Sequence, residues 1–144
     1  MKPEYIVLHT LAFDGSAGIA EVDRWHKERG FTRVGYHYII RRDGRLETGR
    51  HEHEQGAHCL DGGYNRKSLG IAFEGHGDNE EWTDAQWDTL RKCYVFWRIK
   101  HGIDPDKVIG HREAPAVKTC PGKKIDMDAV RRSLIQACKD NFLL

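Results

Sequence analysis

Three short apolar runs, YIVLHT (5–10), SLGIAFEG (68–75) and KVIGH (107–111), constrain this chain more than any other feature. Each is too short for a buried helix and two are rich in β-branched residues, so each reads as a strand. The segments between them carry a helical period instead. AGIAEVDRWHKERG (17–30) sets Val22, Trp25 and His26 on one helical face and stops at Gly30, a natural C-terminal cap. Thr83 and Gln86 form a capping box, and Trp82 and Trp87 hold the positions of a hydrophobic staple. That helix presents Leu90, Tyr94 and Trp97 and ends near Gly102, while Met127, Val130, Leu134 and Ala137 mark a last helix beginning near Asp126. YHYIIRRDGRLETGR (36–50) predicts a hairpin closed by a two-residue turn at Asp43-Gly44. Residues 51–67 have no apolar period and read as a long loop. The order predicts an α/β chain, one domain over residues 1–144, with a central mixed β-sheet flanked by α-helices. Ligands gather at strand ends in such sheets.

Length and charge narrow the function classes. At 144 residues one core suffices. Lys+Arg number 23 against 22 Asp+Glu, so no general attraction to phosphates arises and nucleic acid is not an expected partner. MKPEYIVLHT lacks the pattern of a secretory signal, and no apolar run approaches a membrane span. A soluble cytoplasmic monomer, with no membrane contact, is the expectation. Four cysteines in such a chain argue against a disulfide framework, and Cys93 and Cys138 read as small buried apolar residues within helices.

The chemistry concentrates in GHREAPAVKTCPG (110–122). Two strand-like runs end in His9 and His111, and Cys120 follows on a loop carrying Pro115 and Pro121. Two imidazoles and one thiolate fit zinc, which in catalytic sites takes three protein ligands and leaves a fourth position open. The spacing alone leaves other readings open: His9 and His111 as satisfied core histidines, or Cys120 as a nucleophile paired with His111 and activated by Lys118 two residues before it.

The stretches GYHYIIRRDG (35–44), GAHCLDGGYNRKSLGIAFEG (56–75) and GHREAPAVKTCPG, in that order after His9, resemble the zinc-dependent N-acetylmuramoyl-L-alanine amidases of type 2. That family includes short phage lysozyme-type amidases and animal peptidoglycan recognition proteins, and the similarity runs from about residue 4 to 135. The resemblance implies His9, His111 and Cys120 as Zn2+ ligands. It implies an enzyme that cuts the amide between N-acetylmuramic acid and the L-alanine of the stem peptide in peptidoglycan. The recycling branch, which acts on soluble anhydro-muropeptides, usually carries aspartate where Cys120 stands, so this chain sides with the phage and recognition-protein branch. A phage or prophage endolysin, reaching the cell wall through a membrane pore, is the expectation; a recycling amidase and a non-catalytic peptidoglycan-binding module are its rivals. Some phage relatives also bind an RNA polymerase, which nothing in these residues assigns.

Amide hydrolysis near neutral pH needs an activated water and a stabiliser for the oxyanion. Lys118 is the expected stabiliser. Tyr36 matches the tyrosine that phage-type members use beside the zinc water, and Glu74 matches a glutamate of the recycling branch, so both join Lys118 as catalytic candidates. His37 follows Tyr36 and would face the opposite side of a regular strand, leaving only Tyr36 toward the metal. His58, Tyr64 and Asn65 match positions that line the peptide-stem groove. Arg112 and Glu113 could steer stem-peptide charges, or simply form helix or loop ion pairs, the blander account.

Overall fold

Strand β1 (Tyr5–Thr10) lies between β4 (Ser68–Phe73) and β5 (Val108–Gly110) and runs parallel to both. β2 (Tyr38–Ile40) is parallel to β4 and antiparallel to β3 (Leu46–Thr48), so the computed structural model, which describes residues 1–144, has one mixed sheet in the order β3-β2-β4-β1-β5. The helices are α1 (Ile19–Glu28), α2 (Asp84–His101) and α3 (Met127–Asp140). No helix is long and apolar enough to cross a membrane.

Side-chain alternation divides the sheet into two covered faces. Ile6 and Leu8 of β1 and Leu69, Ile71 and Phe73 of β4 pack with Leu90, Tyr94 and Trp97 of α2 and with Val130 and Leu134 of α3. Burying each of these side chains is worth about 1.5–3 kcal/mol, which makes this layer the main source of stability. The intervening residues face the other way. Ile39 and Ala72 meet Val22 of α1, and Val7 meets Cys59 and Ala114 from the loops. His9 shares the parity of Val7, so it belongs to the α1 side, away from α2 and α3.

The capping box and staple of α2 form as the sequence predicts. Thr83 Oγ1 accepts from Gln86 N–H at 3.1 Å, Gln86 Oε1 accepts from Thr83 N–H at 3.0 Å, and the Trp82 and Trp87 rings lie 5.1 Å apart. The hairpin differs from expectation. Gly44 N–H bonds Arg41 O and Arg41 N–H bonds Arg45 O, both at 2.8 Å, so three residues (42–44) make the turn, with Gly44 at φ 89. The reason is that Arg42 N–H bonds Glu74 Oε1 at 2.7 Å, outside the hairpin, and cannot pair with the facing strand. The 51–67 loop includes a 3-10 stretch, Asp61–Arg66, bent at Gly62 and Gly63. Cys138 is buried, whereas Cys93 is only partly covered at the edge of the core, and all four cysteines are free.

His37 is fully buried beneath the 51–67 loop. Its Nδ1 accepts Gly70 N–H at 2.9 Å, so the ring hydrogen sits on Nε2 and goes to Glu54 O at 2.8 Å. Burial, with Arg50 adding to it, pushes the pKa down to about 4. The unfolded chain therefore takes up a proton near pH 6.5 that the folded chain refuses until about pH 4. The contribution is full above pH 6.5 and is lost as pH falls through that window, about 3 kcal/mol for His37 alone. Burial lowers His9, His26, His58 and His111 in the same direction. The urea midpoint of metal-free protein is accordingly expected to drop steeply from pH 7 to pH 4.5, and His37→Gln to flatten that drop; a pH-independent midpoint contradicts it.

Candidate metal centre and its cleft

Register brings the two strand-end histidines together. Leu8 of β1 pairs with Gly110 of β5, so His9 and His111 follow side by side, with ring centroids 4.7 Å apart. Both are buried. Cys120 arrives from the loop after β5, with Sγ 3.6 Å from His9 Nδ1 and receiving the Thr10 N–H at 3.3 Å. One donor atom from each of the three residues lies within 4.8 Å of the others.

The donors fit a zinc ion. His111 Nε2 is buried and has no hydrogen-bond partner, an arrangement that costs about 1–3 kcal/mol unless something else takes the lone pair or the proton. Burial lowers the pKa of both histidines, assisted at each by the Lys118 charge, so both imidazoles are neutral, the form that binds metal. Burial also pushes the Cys120 thiol up to about 11. A nucleophilic cysteine needs the opposite shift; Lys118 does lower the thiol, but burial outweighs it, which argues against Cys120 as a nucleophile activated by Lys118. A coordinated cation, by contrast, deprotonates a thiol outright.

The Cys120 loop is held from two sides. Arg112 N–H bonds Cys120 O at 2.7 Å, and the Arg112 guanidinium bonds Gly122 O at 2.7 Å and reaches Thr119 O and Ile125 O. Across from it, Gly77 and Gly122 cross at backbone contact: a Cβ on Gly77 would lie 2.0 Å from Pro121 O. Asp78 fastens the same crossing through Thr119 Oγ1 at 3.1 Å and Lys123 N–H at 2.8 Å. Arg112 is thus an internal clamp rather than a charge offered to ligand. Glu113 pairs with Arg131 at 2.8 and 2.9 Å.

The cluster opens into a cleft of about 670 Å³, lined among others by Arg29, Tyr36, His76, Asp78 and Lys118. Lys118 is exposed and has no ion-pair partner, leaving its ammonium available. Tyr36 stands half-buried with its ring centroid 5.1 Å from that of His9. Burial, with the Cys120 thiol adding to it, raises its phenol above the ordinary value, so the hydroxyl stays a neutral donor. His37 takes no part in the cleft, but alternation is not the reason, since it shares the parity of Ile39 on the α1 face. Tyr36 reaches His9 because both Tyr36 and His37 precede the regular strand β2, with His37 held under the loop by Gly70 N–H and Glu54 O.

Three expected site residues lie elsewhere or do other work. Glu74 does not line the metal cleft. Its Oε1 accepts Arg42 N–H at 2.7 Å, and its Oε2 accepts Ala17 N–H at 2.8 Å and lies 3.2 Å from Arg41 Nη2. Burial raises its pKa, but the bonds from Arg42 and Arg41 outweigh that, so it is an ionised brace between α1 and the hairpin with no proton to give. Tyr64 packs edge-on against Tyr5, ring centroids 5.2 Å apart, with Lys67 over its face, outside the cleft. Asn65 touches the cleft, yet its Oδ1 is committed to His58 N–H at 2.8 Å and Cys59 N–H at 2.7 Å. His58 lies in the cleft wall with Nδ1 2.9 Å from His9 Nε2. Sequence reasoning missed Thr10, Ser68 and the Gly77–Gly122 crossing, and it named Arg112 for ion pairing rather than as a clamp on loop carbonyls; only the two loop glycines, in EGHGD and CPG, left a visible signal.

Comparison with known proteins points to one family. The chain is 38% identical over 111 residues to an endolysin of Escherichia phage T7, covering 74% of this chain and 70% of that one. Among solved structures, the N-acetylmuramoyl-L-alanine amidase LysC from Clostridium intestinale URNW superposes with a TM-score of 0.85 at 29% identity, covering 93% of this chain and 86% of that one. Drosophila PGRP-LB superposes with a TM-score of 0.76 at 28% identity, over 86% and 78% of the two chains. The family model described as N-acetylmuramoyl-L-alanine amidase matches residues 1–123, and with His9, His111 and Cys120 all inside that span the chain belongs to this amidase family.

Proposed function

We propose that the protein is a zinc-dependent amidase of peptidoglycan, acting as a monomeric phage-type endolysin on the bond between the lactyl group of N-acetylmuramic acid and L-alanine. The observation that carries this reading is the convergence of two imidazoles and a thiol in an open cleft whose lining includes the unpaired Lys118. A zinc ion held by His9, His111 and Cys120 would supply Lewis acidity and a water acidified toward neutral pH.

The remaining work falls to side chains of this chain. Lys118 stabilises the negative charge that grows on the carbonyl oxygen, a role supported by its position in the cleft lining without a carboxylate partner. The Tyr36 hydroxyl, which makes no hydrogen bond within the protein, orients the attacking water or donates to the oxyanion. The attacking water gives its oxygen to the lactyl carbonyl carbon and, as the C–N bond breaks, its proton to the L-alanine nitrogen, which leaves as the amine. Glu74, braced by Arg41 and Arg42, has no role in these steps.

The combination of Cys120 with Tyr36 and the similarity to a protein named endolysin favour the intact cell wall as substrate. Purified protein supplied with zinc is expected to clear suspensions of sacculi and release stem peptides with free L-alanine amino termini. Turnover confined to soluble anhydro-muropeptides would make it a recycling enzyme, and binding to sacculi without any turnover would make it a recognition module.

A further inference from the structure

His9 has two ring nitrogens, and only the one without hydrogen can hold a metal. Its tautomer is set from behind by a chain of hydrogen bonds whose direction can be read from one end. The Tyr64 carbonyl only accepts, and Ser68 Oγ donates to it at 2.7 Å. With its single hydrogen committed, Ser68 Oγ can only accept from His58 Nε2, 3.3 Å away. The His58 hydrogen is therefore on Nε2, and its Nδ1 carries a lone pair. That Nδ1 lies 2.9 Å from His9 Nε2, which must donate. What remains on His9 is a bare Nδ1, the atom facing Cys120 Sγ at 3.6 Å.

The surroundings are shaped to hold this relay. Ser68 is fully buried, and it shares with Gly70 the face of β4 that His9 occupies on β1. The His58 ring lies on the bare backbone of Gly70, where a Cβ would stand 2.5–2.7 Å from three ring atoms, and a Cβ on Gly56 would stand 2.5 Å from His58 Cδ2. Asn65 pins the His58 backbone from the loop side. The imidazole has one position and, through Ser68, one tautomer.

We propose that His58 and Ser68 are positioning residues that lock His9 with its hydrogen on Nε2, so that Nδ1 is the metal-ligating atom. The proposal rests on the reading of His9, His111 and Cys120 as a metal centre. It reassigns His58 from contacting stem peptide to orienting a ligand, the role that outer partners of metal-binding histidines play elsewhere.

The test combines zinc affinity, measured by competition with a chromogenic chelator, with 15N NMR of ring tautomers in metal-free protein. Wild type is expected to bind zinc tightly and to show single Nε2–H tautomers at both His9 and His58. His58→Phe is expected to weaken zinc binding about 10–100-fold. Ser68→Ala, a change small enough to keep the fold, is expected to weaken it in the same direction and to leave His58 as a mixture of tautomers. Hydrogen on His9 Nδ1 in wild type overturns the relay. So does zinc affinity unchanged in Ser68→Ala, even if that variant melts earlier, since a purely structural role lowers stability alone. Failure of wild type to bind zinc overturns both the relay and the metal centre, whereas tight zinc binding without cleavage of sacculi overturns the proposed function and leaves the relay standing.

Discussion

Cys120→Ala is expected to lose zinc and cell-wall lysis together, with lysis falling by more than the 10- to 100-fold that removal of a partner behind a metal ligand typically costs. Three donors within 4.8 Å define the site, and two imidazoles alone leave the third corner empty. The fold should survive. Cys120 is only partly buried, and the loop that carries it is held through backbone atoms by Arg112, Asp78 and the Gly77–Gly122 crossing, none of which needs the sulfur. Metal content by atomic absorption and turbidity of a sacculus suspension measure the two effects. Full lysis by a zinc-free variant would remove the metal from the reaction.

Lys118→Ala should separate catalysis from metal binding. Removing one preorganised donor aimed at a developing oxyanion typically lowers kcat about 10²–10³-fold, and that is the loss expected here. Zinc stoichiometry should stay at one. Lys118 is exposed and makes no ion pair, so its truncation should alter folding stability by no more than about 0.5 kcal/mol. The loss should appear in kcat with KM little changed, the signature of an interaction made only in the transition state. A variant with wild-type kcat would show that the ammonium is an ordinary surface charge.

Much of this architecture was legible before any coordinates. Period-2 and period-3.6 patterns locate the strands and helices because a buried strand and an amphipathic helix expose different repeats of the same apolar residues. The α2 N-terminus is readable to the residue, since Thr83, Gln86, Trp82 and Trp87 interact within five positions. The hairpin turn was misjudged for the converse reason: Arg42 is taken out of the turn by Glu74, which is 32 residues away. Tyr64 and Glu74 carry the right residue types at resembling positions, yet Tyr64 is turned toward Tyr5 and Glu74 toward Arg41. A sequence position specifies a side chain, and the neighbours it meets decide whether that side chain is free to act.

What the linear chain by itself determined is therefore local: the strand and helix segments, the caps, and a set of histidines and a cysteine able to bind zinc. The tertiary structure decided which of them share a site. Parallel register places His9 beside His111, alternation puts both on the α1 face, and the Gly77–Gly122 contact sets Cys120 against them. The His58–Ser68 relay depends on one bare backbone position at Gly70, a contact between strand and loop that no local pattern encodes. Propensity and capping act over a few residues, whereas a metal site needs donors from distant segments fixed to within a few ångströms, and only packing of the whole sheet supplies that.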